Sequence, residues 1–330
     1  MGTELAYTPM LHARLFSEVP TYRDLHFDPG DGPLFAQLAG HDPAVVLHSA
    51  RMIEEHVDAI DLNFGCPQGI ARKGRYGAFL LDEPDVMVAL VKTLAEGLQV
   101  PVTAKLRLLP ERSEAIQLCK RLEEAGASVI ALHGRTRSQN KHLSGRADWD
   151  AIREAVDALS VPVIANGGIF SRDDADACLA HTGAAAVMSS EALLENPALF
   201  CRNIDPRSGE YLDQDALAAR YLSLCADHPP SKGAAMVGVQ LAHSPTRFPS
   251  PNPPLLSYHP WPRGPSSHLL GTSWLRVAGA WPPLQDPPRR VTPTCPPARP
   301  TARRPNALRD AHSDRRSQID WLGAAALPHL

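Results

Sequence analysis

Short, nearly continuous apolar runs alternate with longer stretches of helical periodicity along the first two-thirds of the chain. The runs fall at 6–10, 34–39, 59–64, 102–106, 129–133, 163–166 and 185–188. Their length and near-unbroken apolar character predict strands buried on both faces. Between most of them, apolar positions recur every three or four residues. That spacing predicts amphipathic helices at 44–55, 84–96, 114–124, 148–158 and 172–180. Helix boundaries carry their own signals. Asp42-Pro43 offers a capping acceptor and a proline suited to a first turn. Ser113 and Ser171 are candidate N-caps, and Gly126 and Gly183 candidate stops.

Strand–helix units recurring every 25–35 residues or so (roughly one βα repeat) imply parallel strands with right-handed crossovers. No dinucleotide-type glycine fingerprint accompanies them, so a barrel fits better than an open sheet. The expected fold class is α/β, a (β/α)8 TIM barrel spanning 1–212. Such a barrel needs eight strands and the pattern supplies seven, so the barrel is expected to lack its first strand.

Beyond about Pro229 the character changes. Residues 233–330 hold 18 of the chain's 32 prolines, and 11 arginines against four aspartates with no glutamate or lysine. Prolines this dense interrupt helices and sheet centres, and too little periodic apolar surface remains to offset chain entropy. The segment 231–330 is expected to be a disordered Pro/Arg-rich tail. Either it has no role, or it is a basic arm for RNA or for a proline-binding partner.

A net charge of −3 does not announce a nucleic-acid partner, although local basic surface is compatible with it. The cysteines at 66, 119, 178, 201, 225 and 295 form no CxxC pair and match no zinc or disulfide spacing. No metal is expected, and the compartment should be reducing. Met1-Gly2-Thr3-Glu4-Leu5 lacks the features of a secretory signal, and no apolar run approaches the ~18 residues of a membrane span. A cytoplasmic location, or the nucleus, is the expectation, without membrane contact.

Candidate chemistry lies where a barrel's strands end, at one mouth. Asn63-Phe64-Gly65-Cys66-Pro67-Gln68 sets a lone thiol at a strand's C-terminal lip, between a glycine and a proline. The thiol is either a proton donor, base or nucleophile, or a buried turn cysteine. Other strands end at Gln37, Asn63, Lys105, His133 and Asn166, the last followed by Gly167-Gly168, and the final one at Ser189-Ser190-Glu191. Each has a plain structural account: a lysine reaching for solvent, a hydrogen-bonded core histidine, ordinary Asn-Gly turn chemistry. Together they place a polar group at six successive strand ends. Backbone N–H groups after Asn166 and before Ala192 could hold a phosphate, and a lysine and a histidine nearby could hold an electron-rich ring. That combination points to a phosphorylated redox cofactor such as FMN.

These residues resemble the tRNA-dihydrouridine synthases, most of all the eukaryotic branch acting on positions 16 and 17 of the tRNA D-loop. The resemblance is carried by Tyr7-Thr8-Pro9-Met10, Asp61-Leu62-Asn63-Phe64-Gly65-Cys66-Pro67-Gln68, Tyr76-Gly77-Ala78-Phe79-Leu80 and Pro101-Val102-Thr103-Ala104-Lys105. It continues through Leu132-His133-Gly134-Arg135-Thr136, Leu143-Ser144-Gly145, Ala165-Asn166-Gly167-Gly168-Ile169 and Asn196-Pro197-Ala198-Leu199-Phe200.

The resemblance implies an FMN-bound barrel, expected to be a monomer, that uses NADPH to reduce the C5–C6 double bond of uridine in tRNA. Cys66 would be the general acid. Gln37, Lys105, His133, Asn166, Gly167, Gly168, Ser190 and Glu191 would contact the flavin. Asn63 and Arg135 would border the uracil, and Arg72 and Lys73 would meet tRNA phosphates. It also implies a strand–helix unit ahead of Tyr7, a Gly-Arg pair where this chain has Ser190-Glu191, and a helical tRNA-binding domain of which 213–230 would be the start. Two other readings remain at this point: an FMN enzyme for a free pyrimidine, of the dihydroorotate dehydrogenase kind, and a non-catalytic RNA-associated protein.

Overall fold

The computed structural model describes residues 2–27, 32–140, 143–205, 208–227 and 274–277. Six parallel strands form one wall in sequence order: β3 (Leu34–Ala39), β4 (Ala59–Phe64), β5 (Val102–Leu108), β6 (Val129–Thr136), β7 (Val163–Asn166) and β8 (Ala186–Ser189). The predicted strand at 6–10 is divided into β1 (Leu5–Tyr7) and a two-residue β2 (Leu11–His12), both parallel to β3. Pro9, which has no N–H to give to a ladder, lies in the interruption.

The sequence pattern leaves the position between β8 and β1 empty, and here the structure differs. A ninth strand, β9 (Trp274–Val277), pairs antiparallel with both, setting Ala186 opposite Val277 and Leu5 opposite Leu275. With the β1–β3 pairing, the hydrogen-bonded order runs continuously round eight strands. The four residues come from the segment expected to be without regular structure. They lie in a proline-free stretch between Pro265 and Pro282, which gives a strand room to form. The rest of the expected disordered tail lies outside the described residues.

The helices pack on the outside by the stripe their sequences carry. In α5 (Pro84–Gly97) the buried residues are Met87, Leu90, Val91 and Leu94, and in α6 (Arg112–Glu124) Ala115, Leu118, Cys119 and Leu122. Both follow the i, i+3, i+4, i+7 rule. They meet the outward side chains of the strands, such as Leu62, Phe64, Ala104, Leu106 and Leu132, in the main core. Full burial of each leucine is worth ~1.5–3 kcal/mol. Inward side chains of the lower strand halves form a second core: Leu5, Tyr7, Phe35, Ala59, Val129, Ala131, Ile164, Ala186 and Met188. This plug is the floor on which the site rests.

Capping follows the sequence at four of five positions. Asp42 accepts from the Ala44 and Val45 amides at the start of α3 (Pro43–Arg51). Ser171 and Asp174 form a reciprocal capping box on α8 (Arg172–Thr182), which ends at Gly183 with φ 67°. Gly126, with φ 108°, follows α6. Ser113, expected as a cap, lies inside α6, whose N-cap is Glu111. Among the described residues, no helix is long and apolar enough to cross a membrane, and no group of three or more His, Cys, Asp or Glu side chains could hold a metal ion.

Candidate active site

Strand alternation sorts the inward side chains into layers above the apolar plug. Register places Gln37 beside Asp61 beside Thr103, and, one step higher, Asn63 beside Lys105. Higher still, Arg107 pairs with His133 and His133 with Asn166. The middle layer is buried and joined by hydrogen bonds. Asp61 accepts from Thr103 Oγ1 at 2.6 Å and from Gln37 Nε2 at 2.7 Å. Asn63 Nδ2 donates to Gln37 Oε1 at 2.6 Å.

Asn63 then links this layer to the cysteine. Its Oδ1 accepts from the amides of Gly65 at 3.0 Å and Cys66 at 2.9 Å, closing the turn that presents the thiol. From the other side, the Ala78 amide donates to the Cys66 carbonyl at 2.9 Å. Gly77 makes that approach possible: its φ is 67°, and a Cβ there would lie 2.7 Å from the Cys66 carbonyl oxygen. Arg107 spans the top of the wall. Its Nε donates to the Gly65 carbonyl at 2.7 Å, and its Nη1 to the carbonyls of Thr136 and Gln139. Arg137 adds a second tie, to the Ala78 carbonyl and Asp82, with its guanidinium over the Phe79 ring. Cys66 also packs with Met10, Tyr76 and Phe79, so one flank of the thiol is apolar.

Across the mouth, His133 lies against the Gly167 turn, where φ is 105° and a Cβ would come within 2.8 Å of the imidazole. Arg135 Nη1 lies 3.3 Å from His133 Nε2. A guanidinium only donates, so Nε2 accepts and the imidazole proton sits on Nδ1. Arg135 also donates twice to the Gly145 carbonyl. Trp149 Nε1 holds the Gly167 carbonyl at 3.0 Å, Asn166 Nδ2 donates to the Met188 carbonyl at 2.9 Å, and Ser189 Oγ donates to the Ile169 carbonyl at 2.9 Å.

Burial raises the Cys66 thiol above its ordinary value, partly opposed by the Gln68 amide, Arg107 and Lys105. The sulfur therefore keeps its proton at neutral pH. Burial, reinforced by Arg107, brings Lys105 down to about 8. Burial also lowers His133 well below its usual range, with Lys105, Arg107 and Arg135 acting in the same direction, so the ring is neutral. Three cationic side chains thus share one wall with a single fully buried carboxylate, Asp61, which burial pushes up to about 6. The site is locally cationic in a chain of net charge −3.

The structure brings Cys66, Asn63, Gln37, Lys105, His133, Arg135, Asn166, Gly167 and Gly168 to one mouth. Ser190 is half-buried at the N-cap of the short helix α9 (Glu191–Glu195) and makes no side-chain capping bond. Glu191 is exposed and acts electrostatically on Arg135. Arg72 and Lys73 are exposed on α4 (Gly69–Gly74), the segment after the cysteine turn. Sequence reasoning missed Asp61, Thr103 and Arg107 as site residues. The signal was present: each stands two positions from a named residue on the same strand, and so on the same face.

The dihydrouridine synthase (Dus) family model matches residues 1–236. Three curated relatives are similar over a large part of the chain. The chain is 41% identical over 232 residues to a Rattus norvegicus protein named tRNA-dihydrouridine(16/17) synthase [NAD(P)(+)]-like, covering 69% of this chain and 51% of that one. It is 38% identical over 229 residues to tRNA-dihydrouridine(16/17) synthase [NAD(P)(+)] of Schizosaccharomyces pombe, covering 68% and 57%. It is 43% identical over 206 residues to the Saccharomyces cerevisiae protein of the same name, covering 60% and 49%. The chain spans about half the length of the curated relatives it matches. The thiol turn, the cationic wall and the match over residues 1–236 lead to one conclusion: this chain belongs to the dihydrouridine synthase family.

Proposed function

We propose that this chain reduces uridine to 5,6-dihydrouridine in the tRNA D-loop, at positions 16 and 17, with FMN bound in the barrel mouth and NADPH as reductant. Family membership and the names of the relatives support the reaction class. The observation that carries the reading is the Cys66 thiol: its turn fixed by Asn63 and Ala78, its proton retained by burial, and Lys105 and Arg107 beside it.

The residues present fit a phosphorylated flavin. Gln37, Asn63, Lys105 and Arg135 present N–H donors, which suits a ring edged by carbonyl and imine acceptors. The Gly167-Gly168 turn, at φ 105° and 77°, packs directly against His133, Ala147 and Trp149, where side chains would be crowded. Gln37, Lys105, His133, Asn166, Gly167, Gly168 and Ser190 would hold the cofactor, and Glu191 would act only through Arg135. When bound, FMN supplies the hydride that uracil accepts at C6. Cys66 gives its proton to C5, which completes the addition of two hydrogens across the double bond. Asn63 and Arg135 would orient the uracil carbonyls. Arg72 and Lys73 would neutralise tRNA phosphates, a contribution that needs no positive net charge.

The test supplies FMN and NADPH and compares tRNA with free uracil and uridine as oxidants of the reduced flavin. Dihydrouridine in the tRNA, located by mass spectrometry of nuclease fragments, is the expected product. Re-oxidation by free pyrimidine with tRNA inert would replace this reading with the free-pyrimidine one.

A further inference from the structure

The buried layer beneath the mouth is a hydrogen-bonded chain whose direction is set at one end. Asp61 is 0% exposed, and both of its oxygens accept, one from Thr103 and one from Gln37. A carboxylate has no proton to give. The Gln37 amide must therefore turn its nitrogen toward Asp61 and its oxygen away. That oxygen accepts from Asn63 Nδ2, which in turn aims Asn63 Oδ1 at the amides of Gly65 and Cys66. Each amide nitrogen carries two hydrogens and has used one. With both lone pairs of its oxygen engaged, Asn63 has only an N–H left to offer a ligand, and Gln37 has an N–H beside one remaining lone pair.

We infer that Asp61 is a positioning residue that sets the donor polarity of the whole site. Acting through Gln37 and Asn63, it seats the cysteine turn and turns both amides to meet a ring that carries acceptors. The ligand half of this inference rests on the proposed function, while the cysteine half does not. The charged and titratable groups that face Asp61 are Tyr7 from β1 and Lys105 from β5, with the uncharged partners Gln37 from β3 and Thr103 from β5. With its affinity for a proton raised to about 6 by burial, Asp61 gains an O–H as the pH falls through that value. A protonated carboxyl can donate to the Gln37 oxygen, and the direction of the chain is then no longer imposed.

The experiment compares the wild-type chain with Asp61→Asn, an isosteric change that adds a donor. FMN is titrated into the flavin-free protein by fluorescence at pH values from about 5 to about 7.5. Protonation of the FMN phosphate weakens both proteins alike, so the ratio of their dissociation constants is read. The expected ratio is ~10 or more at the upper pH, as for a lost hydrogen bond to a charged group, and it falls to ~1–2 at the lower pH. In parallel, iodoacetamide alkylation of Cys66 is followed by mass spectrometry without flavin, with buried Cys119 and Cys178 as internal references. Cys66 should alkylate several-fold faster in Asp61→Asn as its turn loosens.

Thr103→Val removes one bond to the same carboxylate but leaves Gln37 directed. It should cost only ~3-fold in affinity and retain the wild-type pH dependence. A ratio near 1 at every pH, or a Thr103→Val loss equal to that of Asp61→Asn, would overturn the inference. Should the wild type take up no FMN while Asp61→Asn still exposes Cys66, the flavin reading fails and the role of Asp61 stands. Should Cys66 alkylate at the wild-type rate in that case, both fail.

Discussion

On one side of the barrel, β3 to β6 hold charged and amide side chains that fix one another; on the other, β8, β9 and β1 are joined by short backbone ladders. Along the first side, Asp61, Gln37 and Asn63 form a chain of bonds of 2.6–2.7 Å, and Arg107 ties the carbonyls of Gly65, Thr136 and Gln139 together. Along the second, β1 meets β9 through two residue pairs and β8 meets β9 through four. The difference separates precision from closure. The chemistry proposed for Cys66 needs a turn placed to within a fraction of an ångström, and buried polar groups supply that placement at the cost of demanding complete satisfaction. Closure needs only that strand edges be paired, and a short strand from a distant part of the chain can do it.

The largest expected effect comes from the chemical centre of the precise side. Cys66→Ala should lower uridine reduction by ~10²–10⁴-fold, the usual loss for a missing general acid, while NADPH-dependent flavin reduction stays near wild type. Separate stopped-flow measurement of the two half-reactions checks this. Wild-type turnover of tRNA by the variant would remove the thiol from the mechanism and, with it, the reason for the surrounding network.

Arg107→Lys sharpens the comparison by keeping the charge and removing the fork. A lysine cannot satisfy the carbonyls of Gly65, Thr136 and Gln139 at once. With hydrogen bonds to charged groups worth ~1.5–3 kcal/mol each, uridine reduction should fall by ~10–100-fold. A variant with intact kcat would mean that Pro67 and the Ala78–Cys66 bond seat the thiol unaided.

How much of this was readable beforehand differs between the two sides for the same reason. The six parallel strands and five amphipathic helices follow from apolar periodicity, and so does the mouth where Cys66, Lys105, His133 and Asn166 meet. The apolar run of β5 ends at Leu106, yet the strand continues to Leu108, because Arg107 is held by partners distant in sequence. β6 likewise continues past His133 to Thr136, carrying Arg135 inward. Asp61 sits inside an apolar run and reads as an exception until its partners on β3 and β5 are known. β9 was hidden for a different reason. Trp274-Leu275-Arg276-Val277 is a plausible strand alone, but its proline-rich surroundings and its distance along the chain outweigh four residues of local preference.

Lys105 offers a pH test of the precise side. Its proton affinity is lowered, so the ammonium is present below about 8 and is lost as the pH rises through that value. If the charge holds FMN, affinity should be at its highest below about pH 8 and weaken above it, by at most ~10-fold per pH unit for a single proton. Lys105→Met should bind more weakly at neutral pH and lose this alkaline limb. Fluorescence titrations at several alkaline pH values read both effects, and an unchanged limb in the variant would assign the titration to another group.

The smallest effect is expected at the seam, and it tests closure itself. Leu275 pairs with Leu5 on one side and Met188 on the other, so β9 is a central strand of four residues. Proline there cannot donate to a ladder and fixes φ where extended backbone is required. The net loss of one such bond is ~1 kcal/mol, which for a domain of ~200 residues lowers the thermal midpoint by ~2–4 °C. Leu275→Pro should therefore melt a few degrees lower while Cys66 alkylation and FMN affinity stay within ~2-fold of wild type, because β9 pairs with β1 and β8 and not with the strands that carry the network, β3 to β6. Circular-dichroism melts and the same titrations check both halves. An unchanged midpoint would mean that β9 contributes nothing to closure. A collapse of flavin binding together with the midpoint would mean that the two sides are not independent, and that the placement of Cys66 depends on the closed ring as much as on Asp61 and Arg107.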